Sequence, residues 1–308
     1  METADLAVIA TASLSKLTTD QVVALTTDQV VALTSAQVSN MGTSQLAALT
    51  TSQIVALETA DLVKLSAATV ASLTTDQVAA LTTTQLAAMT TAQVSGMTTD
   101  QVVALTTAQV VALSTAQVSN LTTSQLVALS TDQLVAMETT DLATLSTASL
   151  SKLTTDQVLA LTTDQVVALS TSQVSNLTTS QLAALSTSQV VAMETNDLVR
   201  LSAASVKALT TDQVVALTTT QLASMGTTQV SGMTTDQVVA LSTGQVAALT
   251  TLQVSNLTTS QLAALTTDQV GAIETGDLNV MSSSSLRALT TDQVVALSTA
   301  QLTALTTK

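Results

Sequence analysis

Every eighth residue is Leu, Met or Ile, from Met1, Ile9, Leu17, Leu25 and Leu33 on to Leu305. The pattern never slips across 308 residues, so the chain divides into 38 octads and a four-residue remainder, octad n ending at residue 8n. The commonest octad reads Leu-Thr-Thr-Asp-Gln-Val-Val-Ala, as in Leu25 to Ala32. Position 2 is nearly always Thr or Ser, position 5 is Gln in 28 octads, and position 6 is Val, Leu or Ile. A short fixed period marks a solenoid, in which units too small to bury a core alone bury one against their neighbours.

Thr and Val also suit the wall of a β-solenoid. Strict alternation is missing, however, and Gly and Asn are too scarce for a corner in every coil. A helix explains more positions. Thr26 fits an N-cap whose hydroxyl meets the N–H three residues on, and Gln29 reaches back to the N–H of the cap, completing a capping box. Leu25 before the cap and Val30 in the helix form the pair of a hydrophobic staple. Eleven Asp residues, among them Asp20, Asp28, Asp76 and Asp100, all stand at position 4, in the first turn, where the helix dipole favours an anion. The expected fold is therefore all-α: a solenoid of very short capped helices, one per octad, with a β-solenoid as the alternative. From Thr27 to Leu33 there is room for roughly two turns. So short a helix is unstable alone, and its stability must come from burying positions 1 and 6 and part of 7 and 8 on other octads.

Departures from the consensus predict how the octads stack. Octads 1, 8, 18, 25 and 35 carry Glu at position 2 and Asp at position 5: Glu2/Asp5, Glu58/Asp61, Glu138/Asp141, Glu194/Asp197 and Glu274/Asp277. A second class, octads 5, 12, 15, 22, 29 and 32, ends in Val-Ser-Asn or Val-Ser-Gly at Asn40, Gly96, Asn120, Asn176, Gly232 and Asn256. Within each class the octads are 3, 7 or 10 apart. Those steps are nearly whole turns if 17 octads make five turns, about 3.4 octads or roughly 27 residues per turn. Octads three or four apart then touch. Seventeen octads also form a longer repeat: residues 1–136 and 137–272, with a partial third copy over 273–308. The expected organisation is one continuous solenoid over 1–308. Neither end shows a polar capping unit, which points to a longer array or to ends that abut other subunits, and so to a filament or rod.

Composition narrows the chemistry. There is no His, Cys, Pro, Phe, Tyr or Trp, and the formal charge is −14. Imidazole bases, thiol nucleophiles and disulfides are excluded, as are the usual zinc and haem sites. Nucleic acid is not an expected partner, because aromatic stacking platforms are absent and acids outnumber bases 21 to 7. The longest apolar run, Leu6 to Ala10, is far short of the ~20 residues of a membrane span. Glu2 and Asp5 stand where a signal peptide would be basic.

The charged residues are grouped. Each Glu/Asp octad is followed by one without Gln, and six of the seven bases, Lys16, Lys64, Lys152, Arg200, Lys207 and Arg287, lie in these five octad pairs. With the ten acids above they form a candidate self-association stripe, in which charge position sets register and partner choice. The alternative is a set of solvated surface pairs worth ~0–1 kcal/mol each. Other readings fit less well. Ca²⁺ wants six to eight oxygens and no Asp-rich Gly loop is present, so no cofactor is expected, with Ca²⁺ as the one candidate. Rows of Thr could match ice, but one Thr per octad is occupied as a cap. The nine Met all stand at position 1, as core fillers. Asn120, Asn176 and Asn256 begin Asn-Leu-Thr, a glycosylation pattern that follows from the repeat itself. The acid pairs recur without a positioned partner, so no enzyme is expected.

The motif Leu-[Ser/Thr]-[Thr/Ala]-x-Gln-[Val/Leu/Ile]-x-Ala resembles the low-complexity arrays of large bacterial secreted and surface proteins of adhesin type. The resemblance covers the whole chain and implies an extracellular structural role, with no catalytic or ligand residue. The function expected is that of a structural repeat protein. It would form or decorate a bacterial filament, sheath or surface layer by end-to-end and lateral association with itself. A calcium- or surface-binding adhesin spacer is the alternative.

Overall fold

The computed structural model describes residues 2–306. Thirty-eight helices follow one another among them, one in each octad and carrying its number, from α1 (Thr3–Ala7) to α38 (Thr299–Thr306). Among the described residues none is in a strand, which disposes of the β-solenoid. The capping logic is realised as written in the residues. In octad 13 the Thr98 N–H donates to Gln101 Oε1 at 2.9 Å and the Gln101 N–H donates to Thr98 Oγ1 at 3.2 Å. The helices are shorter than two turns, four to six residues in the first 37 octads; that of octad 4 is Thr27–Val31. The last turn closes early, because the N–H of the next position 1 bonds the position-6 carbonyl, as Leu33 does to Val30 at 3.1 Å.

The corner between helices needs no glycine. Position 1 leaves the helix with extended ψ (Leu105 φ −60°, ψ 136°) and the cap after it is extended too (Thr106 φ −72°, ψ 159°). Two successive extended residues turn the chain, a conformation open to any L residue. Among the described residues none has a positive φ.

Two compact units, Met1–Leu153 and Thr154–Lys308, divide the chain. In the first, the helix of each octad packs on the helix three octads away: 1, 4, 7, 10, 13 and 16 form one column, and 2, 5, 8, 11, 14 and 17 another. In the second the same rule runs through octads 20 to 38. The core of each unit is built from two positions. Position 6 is at most 2% exposed from Leu6 to Leu278, and position 1 is buried from Leu33 to Met281. Fully burying such a side chain contributes roughly 1.5–3 kcal/mol, so two per octad hold helices that cannot stand alone. In the first turn of unit 1, where no preceding turn lies against them, Ile9, Leu17 and Leu25 are only half-buried. Together with Leu6, Ser13, Leu14 and Gln21 they line a groove of about 290 Å³. Position 7 faces outward.

Candidate functional site

The glutamine at position 5 does more than cap its own helix. Gln101 is 2% exposed, and its Nε2 donates to the carbonyls of Val70 at 3.0 Å and Leu73 at 2.7 Å. The same pair of bonds recurs in the first unit at Gln133, to Val102 and Leu105, and in the second at Gln245, to Val214 and Leu217. Each of these glutamines therefore reaches position 6 of the fourth octad before it and position 1 of the third. A helix leaves its last carbonyls without intrahelical partners, and here the amide of a later turn supplies the donors. Oε1 caps one helix N-terminus and Nε2 caps another helix C-terminus, so the amide group is used at both ends. With helices packed three octads apart and glutamine bonds reaching the fourth, a turn in each unit holds between three and four octads.

The charged octads interrupt this ladder. Asp61, Asp141, Asp197 and Asp277 occupy the glutamine position and are buried at 2–5% exposure. A carboxylate has no N–H to offer the carbonyls below. Asp61 Oδ1 accepts from Ser35 Oγ at 2.6 Å, whereas Oδ2 is buried with no hydrogen-bond partner. Glu58, Glu138, Glu194 and Glu274 stand at the cap position, make no side-chain cap bond and are exposed. In the octad that follows, a hydroxyl pair replaces the Thr–Gln box: Ser66 with Thr69 at 2.7 Å, and Ser202 with Ser205 at 2.9 Å. Such a side chain is too short to reach back four octads.

The two classes separated by the sequence meet in space. Asn-type octads 5 and 15 pack on acidic octads 8 and 18 in the first unit, and 22 and 32 pack on 25 and 35 in the second. The asparagines close their own helices, Asn120 Nδ2 donating to the Ala116 carbonyl at 2.8 Å. The glycines serve close approach. A Cβ on Gly96 would stand 2.7 Å from Ala67 Cβ, and one on Gly232 2.9 Å from Ala203 Cβ. Between the helices of octads 22 and 25 lies a groove of about 630 Å³ lined by Thr171, Ser172, Ser175, Asn196, Val199 and Arg200.

Of the sixteen residues of the candidate stripe, then, four Asp lie in the interior. Glu2, Asp5, Glu58, Glu138, Glu194 and Glu274 are at the surface with Lys16, Lys64, Lys152, Arg200, Lys207 and Arg287. Among the described residues no three acidic side chains come together as a metal site would need, and no helix is long and apolar enough to cross a membrane. The second role of the glutamines was visible in one respect. A capping box accepts Glu as readily as Gln, yet no octad has Glu at position 5, which marks a need for the amide donor.

Helix-on-helix packing at a fixed offset, joined by the position-5 amides wherever glutamine stands there, defines an α-solenoid repeat protein. The chain belongs to the ALTTAQ repeat family, which matches ten times, over residues 1–35, 30–58, 54–91, 85–115, 107–137, 134–171, 190–227, 219–251, 243–272 and 270–307. The family's namesake string stands at Ala104 to Gln109, one residue of one octad and five of the next. No curated protein matches the chain.

Proposed function

We propose that this chain is a structural protein that assembles with copies of itself, end to end and side by side, into an extracellular bacterial filament, sheath or surface layer. The observation that carries this reading is where the chemically versatile side chains are spent. The amides hold turns together, most cap hydroxyls start their own helices, and what is left at the surface is a charge pattern that recurs in sequence with the 17-octad repeat. A surface that repeats at fixed intervals suits a partner that repeats likewise, and another copy of the chain is the simplest such partner. Exposed Lys64, Lys152 and Arg200 beside exposed Glu58, Glu138 and Glu194 supply opposite charges for register.

Sedimentation and electron microscopy of the purified chain test the proposal. Concentration-dependent assembly that survives a chelator, and that is lost on replacing Lys16, Lys64, Lys152 and Arg200 by Glu, is expected. A chain that stays monomeric, or that orders only with calcium, would overturn it. Protease accessibility on intact cells tests the location.

A further inference from the structure

The outward position 7 sorts by side of the coil. Within the first unit, valines there are 39–50% exposed in octads 3, 4, 7, 13, 14 and 17; in the second, Val or Leu is 39–51% exposed in octads 20, 21, 24, 27 and 30. At five turns per 17 octads, each set falls within about one third of its unit's circumference. Val199 lies off this face. The eleven Asp at position 4 are all exposed and fall in the same thirds, in octads 3, 4, 10, 13 and 17 of the first unit and 20, 21, 27, 30, 34 and 37 of the second. No lysine or arginine shares them. Lys16, Lys64 and Lys152 in the first unit, and Arg200, Lys207 and Arg287 in the second, fall in the opposite third. There position 7 is the serine of the Val-Ser-Asn and Val-Ser-Gly octads, with the exposed glutamates at the edge.

We propose that the valine and aspartate face is a lateral docking face and that its occupant is a second copy of this chain, presenting its basic, serine-bearing face. The proposal rests on the self-association reading above and names the surface that it uses. Charge complementarity carries it: one face holds carboxylates without a base, and the bases of the repeat stand on the other. Half-exposed valines between the aspartates add apolar area that a partner would remove from water. Within each unit both faces carry several of these charges, so a register that brings one Asp to one base can bring others together as well. A front-to-back contact is heterologous and does not close, so it extends coils side by side.

Two variants and the wild-type chain decide the matter, each checked for unchanged far-ultraviolet circular dichroism. Val103→Ser, Val111→Ser and Val135→Ser together install the residue of the opposite face, and should weaken lateral association at least tenfold by analytical ultracentrifugation. Asp100→Lys with Asp132→Lys should abolish it alone, and should recover when mixed with a chain carrying Lys64→Glu and Lys152→Glu. Wild-type association should fall as salt is raised. If the wild type associates and neither variant set changes this, or the mixed chains fail to recover, the face is wrong while the self-association reading stands. A wild type monomeric at every concentration ends both. Loss of flotation with neutral lipid vesicles in the serine variant, without loss of self-association, would assign the face to a membrane and overturn the proposal.

Discussion

The side-chain amide of Gln101 donates to the carbonyl of Leu73, 28 residues earlier, at 2.7 Å. That bond joins a turn to the turn before it, and its counterpart to Val70 at 3.0 Å ends a helix that has no C-cap side chain of its own. Gln101 thus finishes the helix of an earlier turn while starting its own.

Replacing Gln101 by Glu keeps the capping acceptor and removes both donors. Two buried carbonyls then face a carboxylate, and a cost of about 2–4 kcal/mol is expected, against about 1 kcal/mol for removing the cap alone with Thr98→Val. The deficit of Gln101→Glu should shrink on acidification, because a protonated carboxyl recovers one donor. Thermal melts at pH 4 and pH 8 check both size and direction.

Gly96 sits where a Cβ would come within 2.7 Å of Ala67 Cβ. Gly96→Ala, which restores the commonest residue of position 8, should therefore destabilise by about 1–3 kcal/mol. Ala67→Gly in the same chain should return most of the loss. Additive losses in the double variant would show that the two residues do not oppose each other.

Asp61 is a carboxylate at a glutamine position, with one oxygen held by Ser35 and the other buried without a partner. Asp61→Gln should raise stability by about 1 kcal/mol, since the longer amide can reach the Val30 and Leu33 carbonyls. Ser35→Ala should cost about 1–3 kcal/mol in the parent chain and little once Gln is present at 61. Hydrogen exchange of the amides in octads 4, 5 and 8 gives the local readout.

Gly42 and Gly226 are N-caps with extended backbones, φ −71° and −70°, and lack a capping side chain. The nearest atom to an added Cβ is a glutamine oxygen, 3.9 Å away at Gly42 and 3.6 Å at Gly226. Gly42→Ser and Gly226→Ser should each stabilise by about 0.5–1 kcal/mol, by adding a hydroxyl acceptor and restricting the unfolded chain. Unchanged or lower melting temperatures would contradict the capping account.

Helix, cap and spacing were legible in the residues because they are local. Thr26 and Gln29 are three residues apart, and a capping box depends on nothing beyond that distance. The steps of 3, 7 and 10 octads predicted neighbours three and four octads away, and the packing of octad 10 on 13 and the reach of Gln101 to Val70 agree. The acids at position 5 were harder to read. In the sequence Asp61 is a charge beside Glu58, with the look of a surface pair. Its burial follows from the place that position 5 occupies between turns, which no local pattern displays.

From the order of residues alone follow the eight-residue unit, its helical start, the apolar positions that must be covered and the winding that brings like octads together; each depends on bonds within a few residues or on periodicity. Which atoms the winding sets face to face is another matter. That the glutamine amide meets carbonyls 28 and 31 residues back, that Gly96 clears Ala67, and that Ser35 finds Asp61 are settled by how closely one turn lies on the next. Such fits depend on separations of an ångström or less, which only the packed turns define.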